Sequence, residues 1–412
     1  MTNRKYYFIF GKMYVQRLLR TALYKAIDAF PAVLITGPRQ SGKTTLLQHE
    51  LLAKQFAYVS FDDPLERNYA RQDPHGFLNR FQQPVILDEI QYVPDLLQYL
   101  KIRIDQNRQQ NGQWILTGSQ QFSLMHNISE SLAGRIVILE LLPFSMVEIP
   151  PETLQSLFWY GNYPELALQK NPESRDFWLR SYIQTYIERD LRQLQHIQNL
   201  GSFERFISLI ASRHSQFFNT AALAREVGIS APTIKNWGTL LAASYICYFL
   251  QPYFKNYGKR VTKTPKLYFN DGAIAAFLTR QPSMEATCAG PMGGAFFEGL
   301  IISEAVKIFT SLGKKPDLFF WRSHDGLEVD LLLQLFGKLY PVEIKMTASP
   351  TLRHLEPLNK FKKITGNDAA KTGLLVCRTH KKILLPNNNI ALPWYEFGAW
   401  LLQQLTTSIQ QY

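Results

Sequence analysis

The sequence predicts an α/β protein whose N-terminal third is built on a parallel sheet. Short runs of apolar residues, each of strand length, alternate with longer segments of helical periodicity. These runs are apolar throughout, which is typical of strands buried on both faces of a parallel sheet. One of them, residues 32–36, leads directly into a glycine-bounded loop and then into a helix-compatible segment. This order of strand, loop and helix is the repeating unit of α/β folds.

Length, cysteine content and apolar runs limit the class of protein. A chain of 412 residues suggests two to four domains, and 46% hydrophobic residues indicate globular ones. Cys247, Cys288 and Cys377 are too far apart to predict a metal cluster or a disulfide framework. The longest apolar run, near residues 240–250, is too short to cross a bilayer, and the N-terminus lacks a signal-peptide pattern. We therefore expect a cytoplasmic protein with no membrane partner.

The loop after residues 32–36 has the Gly-x-x-x-x-Gly-Lys-Thr pattern of a phosphate-binding loop. Backbone N–H groups of such a loop point inward, and the following helix adds the positive end of its dipole. Gly42 permits close approach of the main chain, Lys43 supplies charge to the β- and γ-phosphates, and the Thr44 hydroxyl is a Mg²⁺ ligand. The residues predicted to bind ATP and Mg²⁺ are Gly37, Pro38, Arg39, Gln40, Ser41, Gly42, Lys43, Thr44 and Thr45.

Two acids, Asp88 and Glu89, follow another predicted buried strand, residues 84–87. Acids at the carboxyl end of a parallel strand lie where open α/β sheets bind ligands. We expect Asp88 to orient the Mg²⁺ shell and Glu89 to polarise the attacking water. The alternative is that the pair only caps the helical segment that follows it. The phosphate loop upstream favours the catalytic interpretation.

Two further residues are candidates for contact with the nucleotide. Ser119 follows a third apolar strand, residues 114–117, and either contacts the γ-phosphate or the attacking water, or belongs to an ordinary strand-to-loop turn. Arg135 precedes the last apolar strand, residues 136–139. It either reaches a phosphate, that of a neighbouring subunit included, or is a surface cation. Both alternatives stay open for each residue.

A more specific resemblance rests on six stretches of sequence. They are GPRQSGKTTLL (37–47), VILDEIQ (85–91), ILTGSQ (115–120), SLAGRI (131–136), GNYPE (161–165) and YIQTYIERDL (182–191). In these stretches the chain resembles bacterial and archaeal AAA-type ATPases whose C-terminal domain has no assigned function. It departs from their usual pattern at Asn162, where a second glycine is common. The resemblance implies an ATPase core with a helical lid, in which Arg189 and Asp190 face the nucleotide, and assembly into a homo-oligomer.

Residues 203–270 have the pattern of a winged helix-turn-helix. A helical segment from Thr220 is followed by Gly228 and a second helical segment, and two β-type segments then flank a basic turn. Ten Lys or Arg and only two Asp or Glu lie between Arg192 and Lys266, so this stretch holds +8 of the formal charge of +12. The excess favours DNA as a partner. The predicted DNA contacts are Lys235, Lys255, Lys259, Arg260 and Lys263. The alternative is a module used only for packing or oligomerisation.

A second candidate site lies in the last third of the chain. Asp330 and Glu343 are acids within otherwise apolar predicted strands, where an unpaired charge is costly. Glu343 and Lys345 are two residues apart and so share one face of a strand. With Glu298, on a predicted helix, these residues resemble the PD-(D/E)xK nuclease fold of restriction enzymes and archaeal junction resolvases. Val329 stands where the family name has proline.

The nuclease resemblance implies a metal site and a charged partner for a phosphate. Glu298, Asp330 and Glu343 would hold Mg²⁺, and Lys345 would orient a water or stabilise developing charge. The alternative is an ionic cluster retained in an inactive domain that only binds DNA or protein.

These observations predict four parts. They are an AAA-type P-loop ATPase domain in residues 1–150, with residues 1–12 as an extension, a helical lid in 151–200, a winged helix in 201–270 and a restriction-endonuclease-like α/β domain in 271–412. The predicted function is ATP hydrolysis coupled to remodelling or metal-dependent cleavage of DNA. The alternative is a nucleotide-gated signalling or defence switch whose inactive nuclease-like domain binds a protein partner.

Overall fold

The computed structural model describes residues 6–9, 12–119, 128, 131–169, 171–185, 199–254 and 264–407. The predictions for Arg189, Asp190, Lys255, Lys259, Arg260 and Lys263 concern positions outside these ranges. The chain divides into two compact units. The first is Met1–Phe144 with Ala243–Tyr245 and Phe309–Lys314, and the second is Ser145–Ala242, Ile246–Ile308 and Lys315–Tyr412.

The first unit is built on a parallel sheet. Its strands are β1 Tyr6–Ile9, β2 Lys12–Val15, β3 Ala32–Thr36, β4 Ala57–Ser60, β5 Val85–Asp88, β6 Trp114–Thr117 and β7 Ile136–Glu140. Strands β3 to β7 form one parallel sheet in the order β4-β5-β6-β3-β7. β1 and β2 pair antiparallel with each other, so part of the predicted extension is a strand.

Both faces of this sheet are buried, which explains the apolar runs in the sequence. From β3, Leu34 packs with Leu87 and Leu116 in one cluster. Its neighbour Val33 packs with Ile115 in another, because alternate residues of a strand point to opposite faces. Polar side chains therefore collect at the carboxyl ends of the strands.

Helices flank the strands of the first unit. They are Arg20–Ala29, Lys43–Leu51, Pro64–Gln72, Pro74–Asn79 and Leu96–Gln106. The third and fourth begin where Asp63 and Asp73 accept hydrogen bonds from backbone N–H groups, each just before a proline. Both residues suit a helix start, since the carboxylate satisfies a free N–H and proline has none to lose.

The helices from residue 157 onward include the predicted helix-turn-helix pair. They are Leu157–Tyr160, Pro164–Gln169, Pro172–Tyr182, Leu200–Ser212, Thr220–Val227, Ala231–Ala243, Gly272–Leu278, Met284–Ala289, Gly293–Ser311, Glu356–Thr365 and Phe397–Thr407. Gly228 ends the first helix of the pair at a φ of 79°, a left-handed conformation that favours glycine. Among the described residues, no helix combines the length and apolar character that crossing a membrane requires.

The second unit contains one large mixed sheet. Its strands are β8 Gln216–Phe217, β9 Cys247–Pro252, β10 Lys266–Phe269, β11 Leu318–Arg322, β12 Glu328–Leu335, β13 Lys338–Lys345, β14 Gly373–Cys377, β15 Ile383–Leu385 and β16 Asn389–Pro393. The order is β15-β16-β14-β13-β12-β11-β9-β10-β8. β9 and β10 pair antiparallel, as expected for the two segments around the basic turn.

The sheet does not stop at the predicted boundary between residues 270 and 271. β9, from the predicted winged helix, pairs in parallel with β11, from the predicted nuclease-like domain. Gln251 lies opposite Phe319, and Pro252 lies opposite Phe320. The sequence did not indicate this pairing because 65 or more residues separate the two strands, and neither carries a signal for its neighbour. The two predicted domains therefore share one sheet.

Candidate functional site

The predicted phosphate loop connects β3 to the helix Lys43–Leu51, and two of its glycines are required by its shape. Gly37 has a φ of 145°, and a Cβ placed there would lie 2.2 Å from the carbonyl oxygen of Leu141. Gly42 has a φ of 94° and immediately precedes the helix. A side chain at either position would be strained, so the glycines fix the path of the backbone.

Lys43 is the first residue of the helix, and its side chain reaches back into the phosphate loop. Its Nζ donates hydrogen bonds to the carbonyl oxygens of Gly37, at 3.2 Å, and Pro38, at 2.9 Å. Burial lowers the pKa of Lys43 to about 8, and the charge of Arg39 adds to that, although Asp88 and Glu89 act in the opposite direction. The ammonium is therefore held by carbonyl dipoles where a phosphate group would stabilise it more strongly.

The other loop residues differ in exposure. Arg39, Gln40 and Thr45 are exposed, whereas Pro38 and Ser41 are buried. The Ser41 hydroxyl is buried without a hydrogen-bond partner among the described residues. A buried polar group without a partner is costly, so the loop contains an unsatisfied hydroxyl as well as a lysine bonded only to carbonyls.

Arg17 braces the loop from outside the motif. Its guanidinium donates to the carbonyl oxygens of Ser41, at 2.8 Å, and Leu142, at 2.6 Å, and it lies 4.8 Å from the centre of the Phe144 ring. Sequence reasoning missed this residue because its partners are 24 and 125 positions away.

Asp88, which the sequence predicts to orient Mg²⁺, lies beside the start of the loop helix. Its Oδ2 accepts hydrogen bonds from the hydroxyls of Thr44, at 2.9 Å, and Tyr58, at 2.7 Å. Its Oδ1 accepts one from Thr117. Asp88 is 3% exposed and all three donors are hydroxyls, so the carboxylate is oriented by groups that remain neutral. Tyr58 and Thr117 were not among the predicted site residues.

Glu89 occupies a strained position at the end of β5. Its φ is 59° and its ψ is 46°, a left-handed conformation that is uncommon for residues other than glycine, asparagine and aspartate. Its N–H donates to the Thr117 hydroxyl at 3.1 Å, and its carboxylate accepts a hydrogen bond from Gln91. Gln91 also approaches the buried Ser119 hydroxyl, at 3.5 Å. The strain is maintained by these contacts, as is common at functional sites.

Arg135 lies at the amino ends of the strands, whereas the phosphate loop lies at their carboxyl ends. The Arg135 carbonyl accepts a hydrogen bond from the N–H of Ala32 at the start of β3, whereas the phosphate loop follows the end of that strand. Five residues of strand separate the two ends by about 16 Å. The guanidinium makes a two-point ion pair with Asp105, at 2.6 and 2.9 Å. The prediction that Arg135 binds a phosphate is therefore wrong for the loop of its own chain.

The second candidate site is assembled from β12 and β13. Lys345 Nζ lies 2.6 Å from Glu343 Oε1 and 3.0 Å from Asp330 Oδ2. The same Asp330 oxygen accepts a hydrogen bond from the N–H of Ile344 at 2.9 Å. The predicted Asp330, Glu343 and Lys345 are thus brought together, with the ammonium between two carboxylates.

Glu298 is bonded to two residues of β10 and to Ser215, which precedes β8. Its carboxylate accepts hydrogen bonds from Tyr268, at 2.5 Å, Ser215, at 2.8 Å, and Lys266, at 3.3 Å. Lys266 also pairs with Glu328. Lys266 was counted in the basic excess between Arg192 and Lys266, but its side chain is buried and paired with two acids.

Together these side chains form what we call the acid cluster: Glu298, Glu328, Asp330, Glu343, Lys266 and Lys345. Burial, followed by the charge of Asp330, raises the pKa of Glu343 to about 8 and also raises the pKa of Glu298. Glu343 Oε2 is buried without a hydrogen-bond partner among the described residues. Burial is thus the main reason why protonation is favoured, and the excess of four carboxylates over two ammonium groups adds to it.

The acid cluster is not arranged as the predicted three-carboxylate metal site. In the described part of the chain, no group of three or more His, Cys, Asp or Glu residues is placed to hold a metal ion. Glu298 is bonded to Tyr268 and Lys266, while Asp330 and Glu343 share Lys345. The residues that fit a cation are therefore Asp330 and Glu343, since one positive atom already lies between them.

Of the predicted DNA contacts, only Lys235 lies within the described residues. It is exposed on the helix Ala231–Ala243, the second helix of the helix-turn-helix pair.

Comparison with protein families and curated proteins decides the class of the first unit. A family model described as "AAA domain" matches residues 29–150. Two relatives are each 31% identical over 336 residues, which is 81% of this chain and 74% of the relative. They are the uncharacterized proteins Mb2031c of Mycobacterium bovis and Rv2008c of Mycobacterium tuberculosis. The chain belongs to this family of AAA-type ATPases. The prediction of an AAA-type ATPase is thereby confirmed.

The matches to the rest of this AAA-type ATPase assign no activity. Models described as domains of unknown function, DUF8612 and DUF4143, match residues 151–285 and 293–397. The Walker-type ATPase paby2304 of Pyrococcus abyssi is 14% identical, covering 63% of this chain and 94% of its own, with a TM-score of 0.42. The RuvB Holliday junction branch migration motor of Thermotoga maritima is 19% identical. The match covers 56% of this chain and 88% of the RuvB chain, with a TM-score of 0.30. Likenesses at these TM-scores carry no conclusion about function.

Proposed function

We propose that the first unit binds ATP with Mg²⁺ and hydrolyses it. The observation that carries this proposal is the 2.9 Å hydrogen bond between Thr44 and Asp88 beside the buried Lys43. A Thr hydroxyl and an Asp carboxylate so close together are the protein ligands that P-loop ATPases use for Mg²⁺. Bound Mg²⁺ would neutralise charge on the β- and γ-phosphates. Lys43 would exchange the carbonyls of Gly37 and Pro38 for phosphate oxygens.

Glu89 is the proposed base that polarises the attacking water. It directly follows Asp88, and its left-handed backbone ends β5 at this point. Gln91 holds that carboxylate and also reaches Ser119, so this amide and hydroxyl would share the positioning of water. Arg135, which lies at the amino ends of the strands, would serve only a nucleotide bound by a neighbouring subunit, and we propose a homo-oligomer for that reason.

The second unit is proposed to bind DNA through a winged helix and to cleave it at the acid cluster. The helices Thr220–Val227 and Ala231–Ala243, with β9 and β10, supply the elements of such a module. Lys235 and the basic turn around Lys259 supply positive charge. Asp330 and Glu343 would hold Mg²⁺ in the position between them, and Lys345, displaced from that position, would stabilise charge on the phosphate.

One specific observation favours a second candidate function. Lys345 and Lys266 together pair with all four carboxylates of the acid cluster. An acid cluster whose carboxylates are all paired with its own lysines is also what an inactive domain would retain. In that case the protein would be a nucleotide-gated signalling or defence switch that binds a protein partner.

An ATPase assay with several forms of DNA separates the two functions. Steady-state hydrolysis is measured for the parent and for Lys43→Ala, alone and with single-stranded, duplex and four-way DNA. We expect DNA to raise the parent rate several-fold and Lys43→Ala to be inactive throughout. If Lys235 and the four predicted contacts between β9 and β10 all pair with phosphates, log K for DNA falls against log salt with a slope of about −4 to −5. A parent that hydrolyses ATP equally with and without every DNA form would favour the switch.

A further inference from the structure

We propose that a basic rim beside the acid cluster binds the phosphodiester backbone of a nucleic-acid strand. The basic rim is Arg378, Lys381 and Lys382, which follow β14. The proposal rests on the proposed function of the second unit, and it names the surface that would hold the substrate there. It concerns residues that are distinct from the winged helix and its basic turn.

Charge along the chain gives the first argument. Residues 344–395 contain nine Lys or Arg and only two Asp or Glu, so this stretch carries +7. Between residues 369 and 395 there is no acid at all. This excess is nearly as large as that of Arg192 to Lys266, and it lies around the strands that carry Asp330 and Glu343. A local excess of this size attracts polyanions.

The topology of the sheet places the rim next to the acid cluster. β13 and β14 are parallel neighbours, and Lys345 lies opposite Cys377. Neighbouring strands are about 4.8 Å apart, so the backbone of Arg378, the residue after Cys377, lies close to that of Lys345. The N–H of Arg378 donates to the carbonyl of Thr347 at 2.8 Å, which fixes this proximity just beyond the end of both strands.

The loop that carries the rim is held by its own hydrogen bonds. The Tyr395 hydroxyl donates to the carbonyl of His380 at 2.9 Å. The hydroxyl of Thr379, which is 5% exposed, donates to the carbonyl of Lys381 at 3.1 Å. The cations therefore project from a fixed backbone, which reduces the entropy that would be lost when a strand binds.

The two ends of β13 differ in how their cations are bonded. At the far end, Lys338 Nζ donates to the carbonyl of Asn367 at 2.5 Å, and Lys362 Nζ donates to that of Asn387 at 2.6 Å. At the end with the acid cluster, the three rim side chains are exposed, and within the described ranges none of them makes a hydrogen bond or ion pair. Cations without protein partners give up only water and counterions when they meet a phosphate.

The acid cluster makes a phosphodiester the best match for the rim. Under the function proposed for the second unit, a metal ion held by Asp330 and Glu343 would act on a phosphodiester, whereas an acidic peptide brings no group that such a centre transforms. Arg378 can bind phosphate oxygens at two points, and Lys381 and Lys382 act as point charges on neighbouring phosphates. Lys345, whose side chain is 39% exposed, would then contact the phosphate that lies over the metal position.

A binding experiment with a matched control tests this proposal. The full-length chain is titrated against fluorescein-labelled DNA and RNA of the same sequence, each single-stranded and duplex, in EDTA at several salt concentrations. The rim variant is Arg378→Ala, Lys381→Ala and Lys382→Ala together. The control removes three exposed lysines near the other edge of the sheet, Lys315→Ala, Lys363→Ala and Lys371→Ala.

We expect the rim variant to bind at least about tenfold more weakly than the parent. The slope of its log K against log salt should be shallower by about 2 to 3, because each lost phosphate contact reduces the steepness of that slope by about 0.9. The control variant should bind within about twofold of the parent. A larger loss on DNA than on RNA would identify DNA as the source of the backbone, and the reverse would identify RNA.

The outcomes separate this inference from the proposed function. Equal binding by the parent, the rim variant and the control would overturn the inference while leaving DNA binding by the winged helix intact. Rim-dependent binding without any cleavage by the parent would support the inference and remove the nuclease activity. A parent that binds neither DNA nor RNA would contradict both. Circular dichroism of the variants checks that the fold is unchanged.

Discussion

Two lysines, Lys43 in the first unit and Lys345 in the second, are bonded in opposite ways. Lys43 in the phosphate loop contacts two backbone carbonyls, and Lys345 in the acid cluster contacts two carboxylates. Burial acts to lower the pKa of both side chains, but the net shifts differ in direction. For Lys43 burial prevails and the pKa falls to about 8, whereas Asp330 and Glu343 outweigh burial and raise the pKa of Lys345.

The difference indicates what each site requires. In the loop, Lys43 donates hydrogen bonds to carbonyl oxygens and not to a carboxylate, so an anion that enters is attracted and also favours the protonated form of Lys43. The acid cluster holds its own counter-charges, so the proposed metal ion would have to replace Lys345 between the two carboxylates. We therefore expect the loop to bind its ligand without losing an ion pair. The acid cluster would first have to break the ion pairs of Lys345 with Asp330 and Glu343.

The largest effect is expected at Glu89. Glu89→Gln should retain nucleotide binding and lower the rate of hydrolysis by about 10² to 10⁴-fold, because the amide cannot polarise the attacking water. Binding of a fluorescent ATP analogue and phosphate release measure the two quantities. Glu66→Gln, in the same unit but on the exposed helix Pro64–Gln72, is the control. Hydrolysis by Glu89→Gln at the parent rate would remove Glu89 from the mechanism.

The next effect concerns the acid cluster. Asp330→Asn and Glu343→Gln should each lower Mg²⁺- or Mn²⁺-dependent DNA cleavage by about 10²-fold, because each removes a charge from the proposed metal position. ATP hydrolysis should be unchanged. Asp325→Asn is a matched control, since Asp325 is an exposed acid paired with Lys360. Gel assays with single-stranded, duplex and four-way DNA report cleavage, and a parent that cuts none of them would exclude the nuclease activity.

A smaller effect is expected from pH at the phosphate loop. Because the pKa of Lys43 is depressed to about 8, its ammonium loses the proton as pH rises through that value in the nucleotide-free protein. Nucleotide binding favours the charged form, so binding takes up a proton above pH 8 and the affinity falls by up to about tenfold per pH unit. Below pH 8 the affinity should not depend on this group.

Titration of a fluorescent ADP analogue between pH 7.5 and 9.5 measures this dependence. Lys43→Arg keeps its charge throughout this range and should show a flat profile, whatever its absolute affinity. An equal slope in the parent and in Lys43→Arg would show that another group titrates.

The phosphate loop could be predicted from sequence because its residues are contiguous. Lys43 and Thr44 are fixed relative to Gly37 by the loop itself, and Asp88 and Glu89 end a strand whose apolar run is recognisable. Arg17 and Tyr58 could not be predicted, since each acts through a partner at least 24 residues away. Side chains of that kind have no local pattern, and the fold alone brings them to the site.

The acid cluster could be predicted only in part. Alternation along β13 indicated that Glu343 and Lys345 share a face, and Asp330 was found as an acid in an apolar strand. Lys266 was misinterpreted because charge counting treats every lysine as a surface cation, whereas this one is buried between Glu298 and Glu328. The assignment of Arg135 to the phosphate loop of its own chain was wrong for a similar reason: sequence gives its order along the chain but not the end of the strands at which it lies.

The parallel pairing of β9 with β11 has a mechanical consequence. The N–H of Tyr253 donates to the carbonyl of Phe320 at 2.7 Å, which extends the ladder between the helix-turn-helix strands and those of the acid cluster. Hinging between the two would break this ladder, so a duplex gripped at the helix Ala231–Ala243 would meet Asp330 and Glu343 at a constant offset. The sheet would act as a ruler, and cleavage products would share one length measured from the gripped position.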